Sequence, residues 1–179
     1  MTNIHSLFQN NNIFAEDTQV DAALVRNSSL GEELTIDESR TLAGIMGVHH
    51  LNSGELLSSN GDTHTTLFVL AKGKLVITRD GDNSAASGEK VVYTMSPGEC
   101  AGRRAFVEQK PRQATLRAAT NAVVYTLEPE SFELLLSSHP HLVYKVMRAL
   151  FKVTHNNLMR MNMETEQLSN YIIRSNGRY

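Results

Sequence analysis

The chain has 179 residues, 41% of them hydrophobic, enough for one proper core and short for two. Its formal net charge of -2 supplies no global basic field to recruit nucleic acid or an anionic membrane. One cysteine, Cys100, excludes an intramolecular disulfide, no apolar run reaches transmembrane length, and Met1 to Ser6 lacks the marks of a secretory signal, so a soluble cytoplasmic protein is expected.

Residues 1 to about 16 are polar and Asn-rich, with Phe8 and Phe14 as large anchors, and read as a mobile arm. Asp17 to Arg26 suits a short helix with Val20, Ala23 and Leu24 on one side, stopped by Asn27 to Gly31. Thr35, Ile36, Asp37 and Glu38 form a capping box, in which hydroxyl and carboxylate satisfy each other's amides, and predict a helix through Met46. From Val48 to Leu127 the pattern turns to strands and turns. Gly61-Asp62 marks a turn, Leu67 to Ile77 reads as two short strands broken at Gly73, and Asp80 to Glu89 reads as a disordered hairpin tip.

Pro97 to Thr115 is the most informative stretch. Gly98 and Gly102 supply permissive backbone, the intervening amides can form an anion nest, and Pro111 stiffens the approach to the lone guanidinium of Arg112. A phosphodiester offers two oxygens to such a planar fork of donors. The same residues also fit an ordinary hairpin with a solvated arginine.

Glu128-Pro129 opens a short helix with Phe132, Leu135 and Leu136 directed inward, because proline tolerates a first helical turn. His139-Pro140 breaks and restarts it. From there to about Ile173 the positions Tyr144, Met147, Phe151, Thr154, Leu158, Met161, Thr165, Leu168 and Ile172 follow a 3,4 spacing. A helix of roughly 34 residues would be about 50 Å long, more than a lid on a small β domain needs. Its first three turns are expected to fold back on the core. Beyond about Leu158 a parallel helix pair with a second subunit is expected.

The ordered set Gly54-Glu55, Gly61-Asp62, Gly73, Pro97-Gly98-Glu99, Gly102 and Pro111-Arg112-Gln113-Ala114-Thr115 resembles the cyclic nucleotide-binding domain of the catabolite activator protein (Crp/Fnr) family over roughly residues 30 to 160. The resemblance implies a mainly β fold with flanking helices: a jelly-roll-like β-roll with a long C-terminal helix. It implies that the loop from Gly102 to Thr115 is the phosphate-binding cassette. Ligand-binding positions carried over are Gly102, Arg103, Arg104, Ala105, Arg112, Gln113, Ala114 and Asn157. Asn157 falls where the activator has a polar residue reaching the base, and Leu158 where a serine from the partner subunit would contribute. An asparagine amide both donates and accepts, which suits a purine edge; it equally suits setting coiled-coil register.

Two positions depart from the family. Arg103 stands where a glutamate normally accepts a hydrogen bond from the ribose 2′-hydroxyl, and arginine has no acceptor. That loss should weaken a cyclic mononucleotide by about 1.5 to 3 kcal/mol and favour a more anionic ligand such as a cyclic dinucleotide. Alternatively the pocket is retired, with Arg103 or Arg112 paired to Glu99 or Glu108. Gln113 occupies a place often held by a small residue. The helix-turn-helix of the family's transcription factors is also expected to be absent, since about ten residues follow Leu168 and the tail Arg174 to Arg178 carries only two cations.

Enzymatic readings are weak. His49 and His50 point to opposite faces of a strand, and no nucleophile motif, Walker loop or carboxylate pair is visible. Cys100 lies in an acidic and apolar setting unsuited to a reactive thiol. The organisation expected is an arm and short helix over 1–30, a β-roll over 31–138 and a dimerisation helix with tail over 139–179. The function expected is a non-catalytic homodimeric nucleotide sensor for a cyclic mono- or dinucleotide, with no metal or cofactor, acting on a separate effector protein. The competing expectation is a ligand-free dimeric scaffold.

Overall fold

The computed structural model describes residues 18–79 and 90–176. The expected arm and hairpin tip lie outside these residues, as do the side chains of the C-terminal tail. Two short helices lead in: α1 (Ala22–Arg26), capped by the Asp21 carboxylate on the Ala23 amide at 2.7 Å, and α2 (Ile36–Ala43). The capping box at α2 is present, with Thr35 Oγ1 accepting from the Glu38 amide at 3.2 Å and the Glu38 carboxylate accepting from the Thr35 amide at 2.7 Å. Glu38 also accepts from Lys145 Nζ at 2.7 Å, so the residue that starts α2 ties it to the C-terminal helix.

Eight strands follow among the described residues: β1 (Gly47–Leu51), β2 (Leu56–Ser58), β3 (Leu67–Lys72), β4 (Leu75–Arg79), β5 (Lys90–Met95), β6 (Cys100–Ala101), β7 (Thr115–Ala118) and β8 (Ala122–Leu127). They form two four-stranded sheets, ordered β1-β8-β3-β6 and β2-β7-β4-β5, and every pairing is antiparallel. Alternate side chains of β3 and β8 serve two different cores. Phe68, Leu70, Ala122 and Val124 point between the sheets, where they meet Leu75, Met95 and Leu116. Leu67, Val69, Ala71, Val123, Tyr125 and Leu127 point the other way, to a layer of helices. A strand sandwiched on both faces reads as a continuous apolar run, as Leu67 to Ala71 does.

The helix layer comprises α1, α2, α4 (Pro129–Glu133), α5 (Leu135–Ser138) and α6 (Pro140–Asn176), with α3 (Arg103–Glu108) set apart in the loop between β6 and β7. Phe132 and Leu135 are buried as expected, but Leu136 is 55% exposed. Leu134 is the shared cap between α4 and α5, with φ -59° and ψ -25°. At the start of α6 the buried face is Leu142, Val143, Val146, Ala149 and Leu150, with Val153 partly covered. That face lies about one residue, or 100°, round from the expected stripe. Tyr144 and Phe151 are exposed on the helix's early turns, and from Thr154 to Ile172 only Asn157 is even half-buried.

Candidate functional site

The stretch from Pro97 onward is a turn, the short strand β6, the N-cap Gly102 and the short helix α3 rather than a plain loop. Gly98 and Gly102 both have positive φ, 89° and 84°. Gly102 is the N-cap of α3 and, lacking a side chain, gives the first amides of that helix no side-chain cap. A Cβ at Gly102 would fall onto Nη1 of Arg112, so glycine is required here by close approach as well as by conformation.

Arg112 is held by long-range partners. Its amide donates to the Asp62 carbonyl at 2.8 Å and its carbonyl accepts from the Gly61 amide at 2.9 Å, so the Gly61-Asp62 turn fixes its backbone. Its guanidinium lies 4.8 Å above the centroid of the Phe68 ring and donates from Nη2 to the Thr66 carbonyl at 2.5 Å. The residue is 5% exposed, and its Nε and Nη1 have no protein acceptor among the described residues. Burial pulls its pKa down, while the charges of Asp62 and Glu128 act in the opposite direction; it remains a cation. Two unpaired donors on a buried cation are costly unless an anion supplies the missing acceptors.

Arg112 is one of the residues lining a cavity of about 550 Å³ between α3, the start of β7 and α6. Its walls include Gly102, Arg103, Arg104, Ala105, Arg112, Gln113 and Ala114, and α6 contributes Met147, Leu150, Phe151 and Thr154. Seven of the eight expected binding residues therefore line one space. Asn157 does not; it lies about one turn beyond Thr154 on α6, half-buried.

Arg103 is turned back toward the body of the loop, with Nη1 donating to the Cys100 carbonyl at 2.9 Å and lying 3.6 Å from the Cys100 sulfur. The pairing with Glu99 or Glu108 that a retired pocket would show is not formed by either arginine. Glu99 instead accepts from the Tyr93 hydroxyl at 2.6 Å and the Ser96 amide at 2.7 Å, and Glu108 pairs with Arg104 and Lys110. The bond to Glu99 pushes the Tyr93 pKa up. The Arg160 guanidinium of α6 lies 5.6 Å from the centroid of the Tyr93 ring on β5.

Sequence reading missed α3, the apolar wall from Met147 to Phe151, and the surroundings of Arg112. A 3,4 pattern locates α3 poorly because Arg103 to Glu108 buries only Ala105 and Phe106. Among the described residues no group of three or more His, Cys, Asp or Glu is gathered to hold a metal, and no helix is long and apolar enough to cross a membrane.

Residues 48–139 match the family model described as the cyclic nucleotide-binding domain. Human cGMP-dependent protein kinase 2 is 26% identical over 109 residues, which are 60% of this chain and 14% of the kinase. The cGMP-dependent protein kinase of Eimeria tenella is 23% identical over 159 residues, 89% of this chain. The chain thus spans about 14% of the length of these kinases. Among solved structures, the Thermus thermophilus catabolite activator protein superposes with a TM-score of 0.68 at 21% identity, over 79% of this chain and 63% of that one. A cyclic nucleotide-binding domain from Methylobacillus flagellatus also gives 0.68, at 19% identity over 78% and 76% of the two chains. At these identities the likeness to solved structures is one of fold.

Proposed function

The chain belongs to the cyclic nucleotide-binding domain family, and from that premise we propose that it is a non-catalytic sensor of a cyclic nucleotide-type phosphodiester. One observation carries the reading: Arg112, buried beneath Gly102 with two guanidinium donors that lack a protein acceptor among the described residues, lines a cavity of about 550 Å³. A phosphodiester oxygen would accept from Nε or Nη1, which point to different edges of the guanidinium, Nη2 being engaged by the Thr66 carbonyl. The base and ribose would lie against Met147, Leu150 and Phe151, so occupancy would bear directly on α6.

The identity of the phosphodiester turns on Arg103. Its guanidinium offers no acceptor to a ribose hydroxyl and adds a cation at the cavity wall, which supports a ligand more anionic than cyclic AMP. Output through a separate effector, and pairing of two copies along α6 over the segment 139–179, complete the reading. The exposed stripe of Tyr144, Leu158, Met161 and Leu168 supports the pairing. A ligand-free scaffold is the second reading, and Arg103 in the place of a glutamate is what favours it.

Calorimetric titration with cyclic AMP, cyclic GMP and cyclic di-GMP tests the proposal. At least one should bind, and Arg112→Ala should weaken it by about 2 kcal/mol, roughly thirtyfold, with the fold intact. Equal binding by the variant would overturn the site, and no binding by the wild type would favour the scaffold.

A further inference from the structure

Arg112 keeps its two donors although acidic residues lie close by. Asp62 is occupied locally, its Oδ2 accepting from the Ser59 amide at 2.6 Å. Glu128 is held differently. It is the N-cap residue of α4, where a carboxylate ordinarily accepts from the first helical amides, yet its side chain makes no capping bond. Its two oxygens instead lie 2.9 Å each from the Thr66 hydroxyl, whose single proton the carboxylate accepts. The register of the sheet brings these two together: β3 and β8 pair with Leu67 opposite Leu127, so the residues just outside the strand ends, Thr66 and Glu128, face each other.

Thr66 therefore has two polar ends with opposite clients. Its carbonyl accepts from the Arg112 guanidinium, and its hydroxyl donates to the Glu128 carboxylate. We propose that the Thr66 hydroxyl keeps Glu128 from pairing with Arg112, and thereby leaves Nε and Nη1 open to an anionic ligand. Thr66 is then a positioning residue: it touches no ligand but decides what the guanidinium can bind. Were the hydroxyl absent, Glu128 would have no partner there, and a buried cation with two empty donors would be the strongest available one. The ligand would then have to displace a carboxylate already in place. This inference rests on the phosphodiester reading for its functional consequence, though not for the contact itself.

Four proteins test it: wild type, Thr66→Val, Thr66→Ser and the double variant Thr66→Val/Glu128→Gln. Each is titrated with cyclic AMP, cyclic GMP and cyclic di-GMP, and the side-chain Nε resonance of Arg112 is followed by NMR without ligand. Thr66→Val should lose about three- to tenfold in affinity, Thr66→Ser should bind as wild type, and the double variant should recover. The Arg112 resonance should shift in Thr66→Val and return in the double variant. If Thr66→Val does not fold, Thr66→Ala removes the same hydroxyl without adding volume. Wild-type affinity in Thr66→Val, or no recovery in the double variant, would overturn the proposal. If no protein binds nucleotide, the resonance alone decides: a shift that Glu128→Gln reverses supports the Thr66 role while the phosphodiester reading fails, and an unmoved resonance overturns both.

Discussion

Gly102 and Arg112 occupy one space: the face of Gly102 that a side chain would fill is taken by the Arg112 guanidinium. The left-handed backbone at the start of α3 and the buried cation beneath it are therefore a single arrangement. Gly102→Ala should disturb both, because the new methyl would meet Nη1 of Arg112 and come within 2.9 Å of the Thr66 carbonyl at a φ of +84°. We expect a loss of about 1 to 3 kcal/mol in stability, together with loss of phosphodiester binding. Denaturant unfolding beside calorimetry checks this; a variant with unchanged stability would show that the loop yields freely.

Arg103→Glu restores a carboxylate where the family resemblance places one and removes a cation from the cavity wall. Cyclic AMP should bind the variant about tenfold to a hundredfold more tightly than it binds wild type, and cyclic di-GMP should bind it less well. Tight cyclic AMP binding by wild type, unchanged in the variant, would mean that Arg103 stays folded against Cys100 and never meets the ligand.

Pairing along α6 makes a mass prediction. Leu158, Met161 and Leu168 are each more than half exposed, and covering what remains of each is worth about 1 to 2 kcal/mol. Light scattering should give twice the 19.9 kDa chain mass, and Leu168→Glu should shift the protein toward monomer. A monomer at micromolar concentration would remove the dimer from the reading.

The Glu38 and Lys145 pair predicts an acid-side stability change. Its bond to Lys145, then that to the Thr35 amide, holds the Glu38 pKa below its ordinary 4.5 in the folded state. A depressed folded value means the stabilisation is present above the unfolded value and is lost as pH falls from about 4.5 through the folded value. Lys145→Met should cost about 1 kcal/mol or less at pH 7 and flatten the stability profile below pH 4.5. Thermal midpoints of the two proteins between pH 7 and pH 3 check it, and parallel profiles would sink the assignment.

Much of this protein was determined by residues close together along the chain. The capping box at Thr35 and Glu38 closes across three residues, and Gly54, Gly61, Gly73, Gly98 and Gly102 mark positive-φ turns that few other residues adopt. The doubly buried run Leu67 to Ala71 and the His139-Pro140 break are likewise local, as is the cassette pattern from Gly102 to Ala114, whose residues do come to line one cavity. Other features were decided only when distant segments met. Helix α6 carries two adjacent apolar stripes, and periodicity cannot say which is inside; the angle at which the chain leaves His139 turns Leu142, Val146 and Leu150 to the core and leaves Tyr144 and Phe151 outside. The state of Arg112 is tertiary too. Thr66 lies 46 residues from it and 62 from Glu128, and the antiparallel register of β3 with β8 sets which acid is occupied and which donors stay open. A side chain's type limits the bonds it can make, but the choice among them depends on which partners folding brings within about 3 Å.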